Sequence, residues 1–169
     1  TATTLTTANA VVTASNTTSL GGDLAIAAGN AVVTFTGAIN GAGALSRTGG
    51  GGTVITAASG GTTALNSFSD DGNTTVTAGL ITSGNQSYGG NLSLGTATLN
   101  STGSSGNGDV SVTGNTTLTG NAAIESGGND ALPEVSLGVG KDHLRIDPQQ
   151  RLALAFVVKP PEQIEDQVE

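Results

Sequence analysis

The sequence predicts an all-β chain folded as a parallel β-helix, a β-solenoid in which short strands stack coil upon coil. Three observations favour this fold: an unusual composition, an imperfect repeat, and a two-residue alternation within each repeat. The 169 residues include 27 glycines, with only 2% aromatic and 11% charged residues, whereas an ordinary globular domain carries about 25% charged residues. Small aliphatic side chains with many glycines suit stacked β-structure with a narrow interior.

The repeat is visible in segments that open with Gly followed by Asp or Asn and continue with an aliphatic–small–aliphatic triplet. These segments are GDLAIAAGNAVV from Gly22, GNLSLGTATL from Gly90, and GDVSVTGNTTL from Gly108. Thr-x-Thr units recur at equal steps, at 75–77, 96–98 and 117–119, and an earlier unit lies at 34–36. A period of about 18–21 residues lies in the range of a solenoid coil. Six or seven such coils make a rod about 30 Å long, because stacked strands lie ~4.8 Å apart.

The alternation within each unit predicts strands with one buried face. Runs of four to six residues end at Gly, Asn, Ser or Asp, which suit tight corners. Stacking places like residues above one another, so we expect aliphatic ladders inside and Asn and Thr ladders at the corners and outer faces. The predicted core ladder consists of Leu24, Ile26, Leu92, Leu94, Val110, Val112 and Leu118.

The composition changes near Gly128, and we divide the chain there. Residues 1–130 are predicted to form the solenoid, residues 131–159 a C-terminal β cap or an exchanged strand, and residues 160–169 an acidic flexible tail. The apolar alternation is densest in RLALAFVV, and the prolines that follow end this strand because proline cannot donate to a ladder. The predicted capping or assembly strand carries Leu152, Leu154, Phe156 and Val158. Whether this strand caps its own rod or pairs with a neighbour stays open.

The stretch ITSGNQSYGGNLSLGTATLNSTGSSGNGDVSVTGNTTLTGN, from Ile81 to Asn121, resembles repeats of filamentous-haemagglutinin-like exoproteins of two-partner secretion. Its Gln-Ser-Tyr segment before a Leu-x-Leu strand carries the likeness. GAGALSRTGGGGTVITAAS, from Gly41 to Ser59, is similar to the β-strand repeat of autotransporter passengers. The resemblance covers roughly residues 20–125. It implies a right-handed parallel β-helix that is exported, displayed at a cell surface and often adhesive.

The charge distribution argues against nucleic acid as a partner. The net charge is −8, and residues 1–140 contain a single base, Arg47, against seven acids, whereas a phosphate-binding face needs clustered Lys and Arg. No apolar run approaches the ~20 residues that span a bilayer. We expect an extracellular or cell-surface protein whose signal peptide has been removed. Its expected partners are copies of itself, or a glycan or protein of a host or cell surface.

Candidate chemical groups are few. Asp70 and Asp71 are adjacent, but DDGN is typical of a turn, and no base lies near it in sequence. His143 is the lone histidine, and two aspartates on the same short strand cannot encircle an ion with it. The Gly/Asp stretches at 106–109 and 127–130 are incomplete versions of a calcium-binding repeat. We therefore expect no catalytic, cofactor-binding or metal-binding residues, no cofactor, and no enzymatic activity.

These observations favour a structural and adhesive solenoid at a cell surface, with end-to-end assembly through the C-terminal strand as an option. One alternative is an ice-binding solenoid, which requires the Thr-x-Thr pairs to stack on one face in every coil. A second alternative is a polysaccharide-active β-helix enzyme, which requires carboxylates and a base grouped on one accessible face.

Overall fold

The computed structural model describes residues 1–103, 106–128, 135–137 and 144–146 of the chain, and every described element is a short β-strand. No helix long and apolar enough to cross a membrane occurs among the described residues. The strands are β1 (Thr3–Thr6), β2 (Val12–Ala14), β3 (Thr18–Ser19), β4 (Leu24–Ala27), β5 (Val33–Phe35), β6 (Ile39–Asn40), β7 (Leu45–Thr48), β8 (Thr53–Ile55), β9 (Phe68–Asp70), β10 (Thr74–Val76), β11 (Gly79–Ile81), β12 (Gln86–Tyr88), β13 (Leu92–Leu94), β14 (Thr98–Asn100), β15 (Val110–Val112), β16 (Thr116–Leu118), β17 (Ala122–Glu125), β18 (Val135–Leu137) and β19 (Leu144–Ile146).

The strands form three faces of a solenoid, and every pairing between them is parallel. Face A is the six-stranded sheet β1-β4-β7-β9-β12-β15, and face B is the seven-stranded sheet β2-β5-β8-β10-β13-β16-β18. The third face consists of the pair β3-β6 and the sheet β11-β14-β17-β19. We number the coils by their face-A strands, so that β1 opens coil 1 and β15 opens coil 6. This arrangement confirms the predicted parallel β-helix.

The coils differ in length more than the repeat predicts. Asn73 and Asn91 occupy one corner position 18 residues apart, but the next position in that column, Asn115, follows 24 residues later. The coil lengths therefore extend beyond the predicted range of about 18–21 residues. The extra residues lie after face B, between Ile55 and Phe68 in coil 3 and between Leu94 and Val110 in coil 5. Insertions between faces leave the strand registers intact.

Inward-pointing aliphatic side chains form the core. Six of the seven predicted ladder residues are buried: Ile26, Leu92, Leu94, Val110, Val112 and Leu118. Leu24 is only partly buried, because its neighbour in coil 1 is Thr3, a smaller side chain that is itself exposed. Further core residues, including Val33, Phe35, Ile39, Leu45, Ile55, Leu65 and Leu80, complete the apolar columns.

Asparagine side chains connect successive coils at the corner between faces A and B. The Oδ1 atom of Asn73 accepts from the backbone N–H of Asn91 at 2.9 Å. The Oδ1 atom of Asn91 in turn accepts from the N–H of Asn115 at 2.9 Å. Corner backbone groups that lack a strand partner are satisfied in this way.

The two described strands beyond residue 130 extend the solenoid. β18 pairs in parallel with β16, and β19 pairs in parallel with β17. Both belong to the segment 131–159, for which the sequence predicts a cap or an exchanged strand. Leu152, Leu154, Phe156, Val158, His143 and the tail 160–169 lie outside the described residues, so their predicted roles stay predictions.

Candidate functional site

The outer side of face B presents two columns of small hydroxyl side chains. Because strand residues alternate, the middle residue of each face-B strand points away from the core. The first column, by strand register, is Thr13, Thr34, Val54, Thr75, Ser93 and Thr117. Two residues further along each coil, the second column is Ser15, Thr36, Thr56, Thr77, Gly95 and Thr119. Every member is exposed or partly exposed, and none is charged.

Cross-coil hydrogen bonds hold hydroxyl groups of the second column in place. The Thr56 Oγ1 donates to the carbonyl oxygen of Phe35 at 3.3 Å. Thr77 Oγ1 donates to the carbonyl oxygen of Thr56 at 3.3 Å, and Thr119 Oγ1 donates to that of Leu94 at 3.1 Å. Each bond reaches the preceding coil, so these three hydroxyls are held against the backbone of the neighbouring coil.

The Thr-x-Thr units do not all lie on this face. The pairs at 34–36, 75–77 and 117–119 lie on face B, in coils 2, 4 and 6, but Thr98 belongs to β14 on the third face. Ser93 and Gly95 occupy the corresponding face-B positions of coil 5. The equal spacing of the units along the chain is therefore misleading, because an 18-residue coil followed by a 24-residue coil spans the same length as two coils of equal size.

Face A carries a plainer outer column. Its outward residues are Thr4, Ala25, Ser46, Ser69, Ser87 and Ser111. Face B therefore differs from face A in having β-branched hydroxyl residues at most positions.

The second notable feature is an ion pair inside the solenoid, at the corner between faces A and B. Arg47 Nη1 lies 3.3 Å from Asp70 Oδ1, and the two side chains are 1% and 0% exposed. Arg47 Nη2 also donates to the carbonyl oxygens of Gly29 and Ala31, each at 2.9 Å, and Nη1 donates to that of Gly49. One side chain thus connects coils 2, 3 and 4.

The Asp70 carboxylate is fully engaged within the solenoid. Its Oδ1 accepts from the Gly72 N–H at 2.9 Å, and its Oδ2 accepts from Thr74 Oγ1 at 2.8 Å. The Gly72 contact agrees with the turn predicted from DDGN. Asp71, by contrast, is exposed. Arg47 could not be recognised as the partner of Asp70 from neighbours along the chain, because the coil brings together residues 23 positions apart.

A second group of buried polar side chains follows in coil 5. Tyr88 Oη donates to Gln86 Oε1 at 2.8 Å. Gln86 Nε2 donates to the carbonyl oxygens of Leu80 and Asn100, at 3.1 and 3.0 Å, and to Thr82 Oγ1 at 3.2 Å. Both the oxygen and the nitrogen of the Gln86 side-chain amide therefore have hydrogen-bond partners, although the side chain is completely buried.

Tyr88 interacts both with Gln86, through its hydroxyl, and with the charge of Asp70. It stacks in register on Asp70, and its ring lies 5.4 Å from that of Phe68. Burial raises the pKa of the Tyr88 phenol strongly, and the negative charge of Asp70 raises it further. The phenol therefore stays protonated in the folded chain.

The chemistry open to these groups follows from their burial. Of the adjacent pair Asp70 and Asp71 considered for the enzyme alternative, Asp71 is exposed, whereas Asp70 faces an arginine inside the coil, out of contact with solvent. A polymeric substrate has no route to it in this arrangement. Among the described residues, no group of three or more His, Cys, Asp or Glu side chains is placed to hold a metal ion.

Asp70→Leu leaves the Arg47 guanidinium buried without its charge partner, and we expect the free energy of unfolding to fall by about 3–5 kcal/mol. The double variant Arg47→Met with Asp70→Leu removes both charges and should recover most of that loss. Urea denaturation followed by circular dichroism measures both. Asp71→Asn, at the exposed neighbour, is the control: it removes a charge but keeps a side-chain oxygen that can accept from the Gly49 N–H, as the Asp71 Oδ2 does at 3.4 Å, and should change stability by less than about 0.5 kcal/mol. Equal losses in the single and double variants would contradict the pairing.

Raising the pH should destabilise the fold through Tyr88. The unfolded phenol ionises near its ordinary pKa of 10.0, whereas the folded phenol keeps its proton, so the unfolded state binds fewer protons above that pH. The contribution of the protonated Tyr88 to the free energy of unfolding is therefore fully present below pH 10. Above that pH the free energy of unfolding declines by about 1.4 kcal/mol per pH unit. Tyr88 is the only tyrosine, so the ultraviolet tyrosinate band should emerge only together with unfolding. Tyr88→Phe is the matched control and should lose this part of the pH dependence. A tyrosinate band emerging near pH 10 in a chain that is still folded would refute the buried placement.

Comparison with known proteins does not identify a family for this chain. The chain matches no protein-family model, no curated protein and no solved structure. The resemblance to haemagglutinin-like and autotransporter repeats therefore stays a prediction, and the geometry described above is the basis for function.

Proposed function

We propose that the chain is an extracellular structural and adhesive solenoid displayed at a cell surface. The observation that carries the proposal is the continuous parallel stacking of coils, which gives faces A and B long outer columns made mostly of serine and threonine side chains. In such a fold every coil contacts mainly its neighbours, and the product is an extended binding surface rather than a pocket. The repeat resemblance supports export and display.

The outer surfaces suit a partner recognised by shape and hydrogen bonding. Face B offers hydroxyl groups, whose oxygens both donate and accept, and the asparagine column beside it offers amides. The partners we propose are a glycan or protein of a host or cell surface, or further copies of this chain. Self-association would use the predicted strand with Leu152, Leu154, Phe156 and Val158, because an open strand edge is a template for pairing.

Beads coated with the purified chain should be retained on cell or glycan surfaces severalfold more than beads coated with an inert protein. Two variants of equal charge change identify the adhesive face. Thr75→Lys with Thr117→Lys alters face B, and Ser69→Lys with Ser87→Lys alters face A. We expect the face-B pair to reduce retention and the face-A pair to leave it unchanged. Retention no higher than that of inert beads on a broad panel of surfaces would overturn the adhesive proposal.

A second candidate function is ice binding through face B. Three of the four Thr-x-Thr pairs lie on this face, in coils 2, 4 and 6, and three hydroxyls of the second column donate to the preceding coil. An uncharged face whose hydroxyls are held by such bonds offers water hydrogen-bonding groups at fixed positions. Val54 and Gly95 interrupt the pattern, each with a residue that lacks a hydroxyl.

This candidate predicts that the chain shapes ice crystals and produces thermal hysteresis. Thr75→Lys with Thr117→Lys should abolish both effects, because two charged, hydrated side chains would project from this face. The face-A lysine pair should retain both. A concentrated solution of the unaltered chain that neither shapes ice nor shows hysteresis would eliminate ice binding, and leave the adhesive proposal unaffected.

A further inference from the structure

At most positions of the solenoid, the side chains are too similar from coil to coil to specify which coil stacks on which. The outer column of face A repeats serine at Ser46, Ser69 and Ser87 in consecutive coils. On the inner side of face B, Ile55 and Val76 occupy equivalent positions, and interchanging such aliphatics changes packing only modestly. A coil that skipped its neighbour and paired with the coil after it would still bury apolar side chains.

The buried polar residues are the exception. In one inner column of face A, Ile26 is followed by Arg47, Asp70, Tyr88 and Val112. If coil 3 paired with coil 5 instead of coil 4, Arg47 would meet Tyr88 rather than Asp70. A buried guanidinium would then lack its carboxylate, and unpaired buried charge is far more costly than a mismatched aliphatic contact.

The partners of Gln86 would be lost in the same event. Gln86 donates to Leu80 and Thr82 in coil 4, and these contacts exist only when coil 5 lies directly on coil 4. Both buried groups therefore favour one stacking order, and together they cover the central coils from coil 2, through the Arg47 bonds to Gly29 and Ala31, to coil 5.

We propose that the Arg47–Asp70 pair, supported by Gln86, sets the stacking register of the central coils while the chain folds. Setting register is the best-attested use of buried polar groups. In this account the pair discriminates against stacking in which a coil is skipped, and the aliphatic ladders supply most of the burial in either register. The inference does not depend on whether the rod is adhesive or binds ice.

The test uses cysteine pairs that report register, because the sequence contains no cysteine. Ser46→Cys with Ser69→Cys should form a disulfide in the native order, since neighbouring strands lie about 4.8 Å apart, within disulfide range. Ser46→Cys with Ser87→Cys joins strands two coils apart, about 9.6 Å in the native order, and should form a disulfide only when coil 4 is skipped. Each full-length chain is refolded from denaturant under oxidising conditions, and the disulfides are quantified by peptide mass spectrometry.

In the otherwise unaltered chain we expect the 46–69 disulfide and only a trace of the 46–87 disulfide. Adding Arg47→Met and Asp70→Leu should raise the yield of the 46–87 disulfide by at least about tenfold, while circular dichroism still reports β-structure. Leu45→Met with Phe68→Leu, in the adjacent inner column, is the matched control and should leave that yield unchanged. An unchanged 46–87 yield in the folded Arg47→Met, Asp70→Leu chain would overturn the proposal.

If the Arg47→Met, Asp70→Leu chain fails to fold, a second variant tests the same proposal. Asp70→Leu with Tyr88→Asp moves the carboxylate one coil further along the same column. The proposal then predicts that the 46–87 disulfide rises and the 46–69 disulfide falls during refolding. Persistence of the 46–69 disulfide at its original yield would show that register is set elsewhere, in the aliphatic ladders or the corner asparagines.

Discussion

Parallel in-register pairing between successive coils is the constraint on which the rest of this structure depends. Each strand is only two to four residues long, too short to be stable on its own. Stacking satisfies the backbone groups of one coil with those of the next and places like positions in columns. The narrow interior then accepts small aliphatic side chains, which explains the near absence of aromatic residues. The same columns carry hydroxyls outward and amides at the corners, so surface and core follow from one geometry.

The polar residues inside the rod have a different role from the aliphatic ladders. Ladders of interchangeable aliphatic residues supply burial but distinguish poorly between neighbours, whereas Arg47, Asp70 and Gln86 each accept few partners. A repetitive chain needs both kinds of residue, because uniform repeats promote stacking and unique residues specify its order. The cost of burying a charge is offset here by four hydrogen-bonded or ionic contacts to the guanidinium.

Much of the fold was predictable from sequence, and the reasons are local. Two-residue alternation identified Ile26, Leu92 and Val110 as core residues because inward and outward positions follow from strand geometry alone. Coil lengths were less predictable, because insertions lie in the segments between faces and leave no mark on the strand pattern. The contact of Arg47 with Asp70 depends on the length of one particular coil, so a nearly uniform period could not reveal it. For the same reason, the equal spacing of the Thr-x-Thr units did not reveal that Thr98 lies on a different face.

The most direct test of the central claim is nuclear magnetic resonance of the folded chain, observing which backbone protons lie close together across strands. The account predicts that Ser69 shows contacts to the strands of both Ser46 and Ser87, in parallel register and on opposite sides. Contacts from Ser69 to a sequence-adjacent strand in antiparallel register, as in a hairpin, would contradict the stacked-coil geometry and everything derived from it.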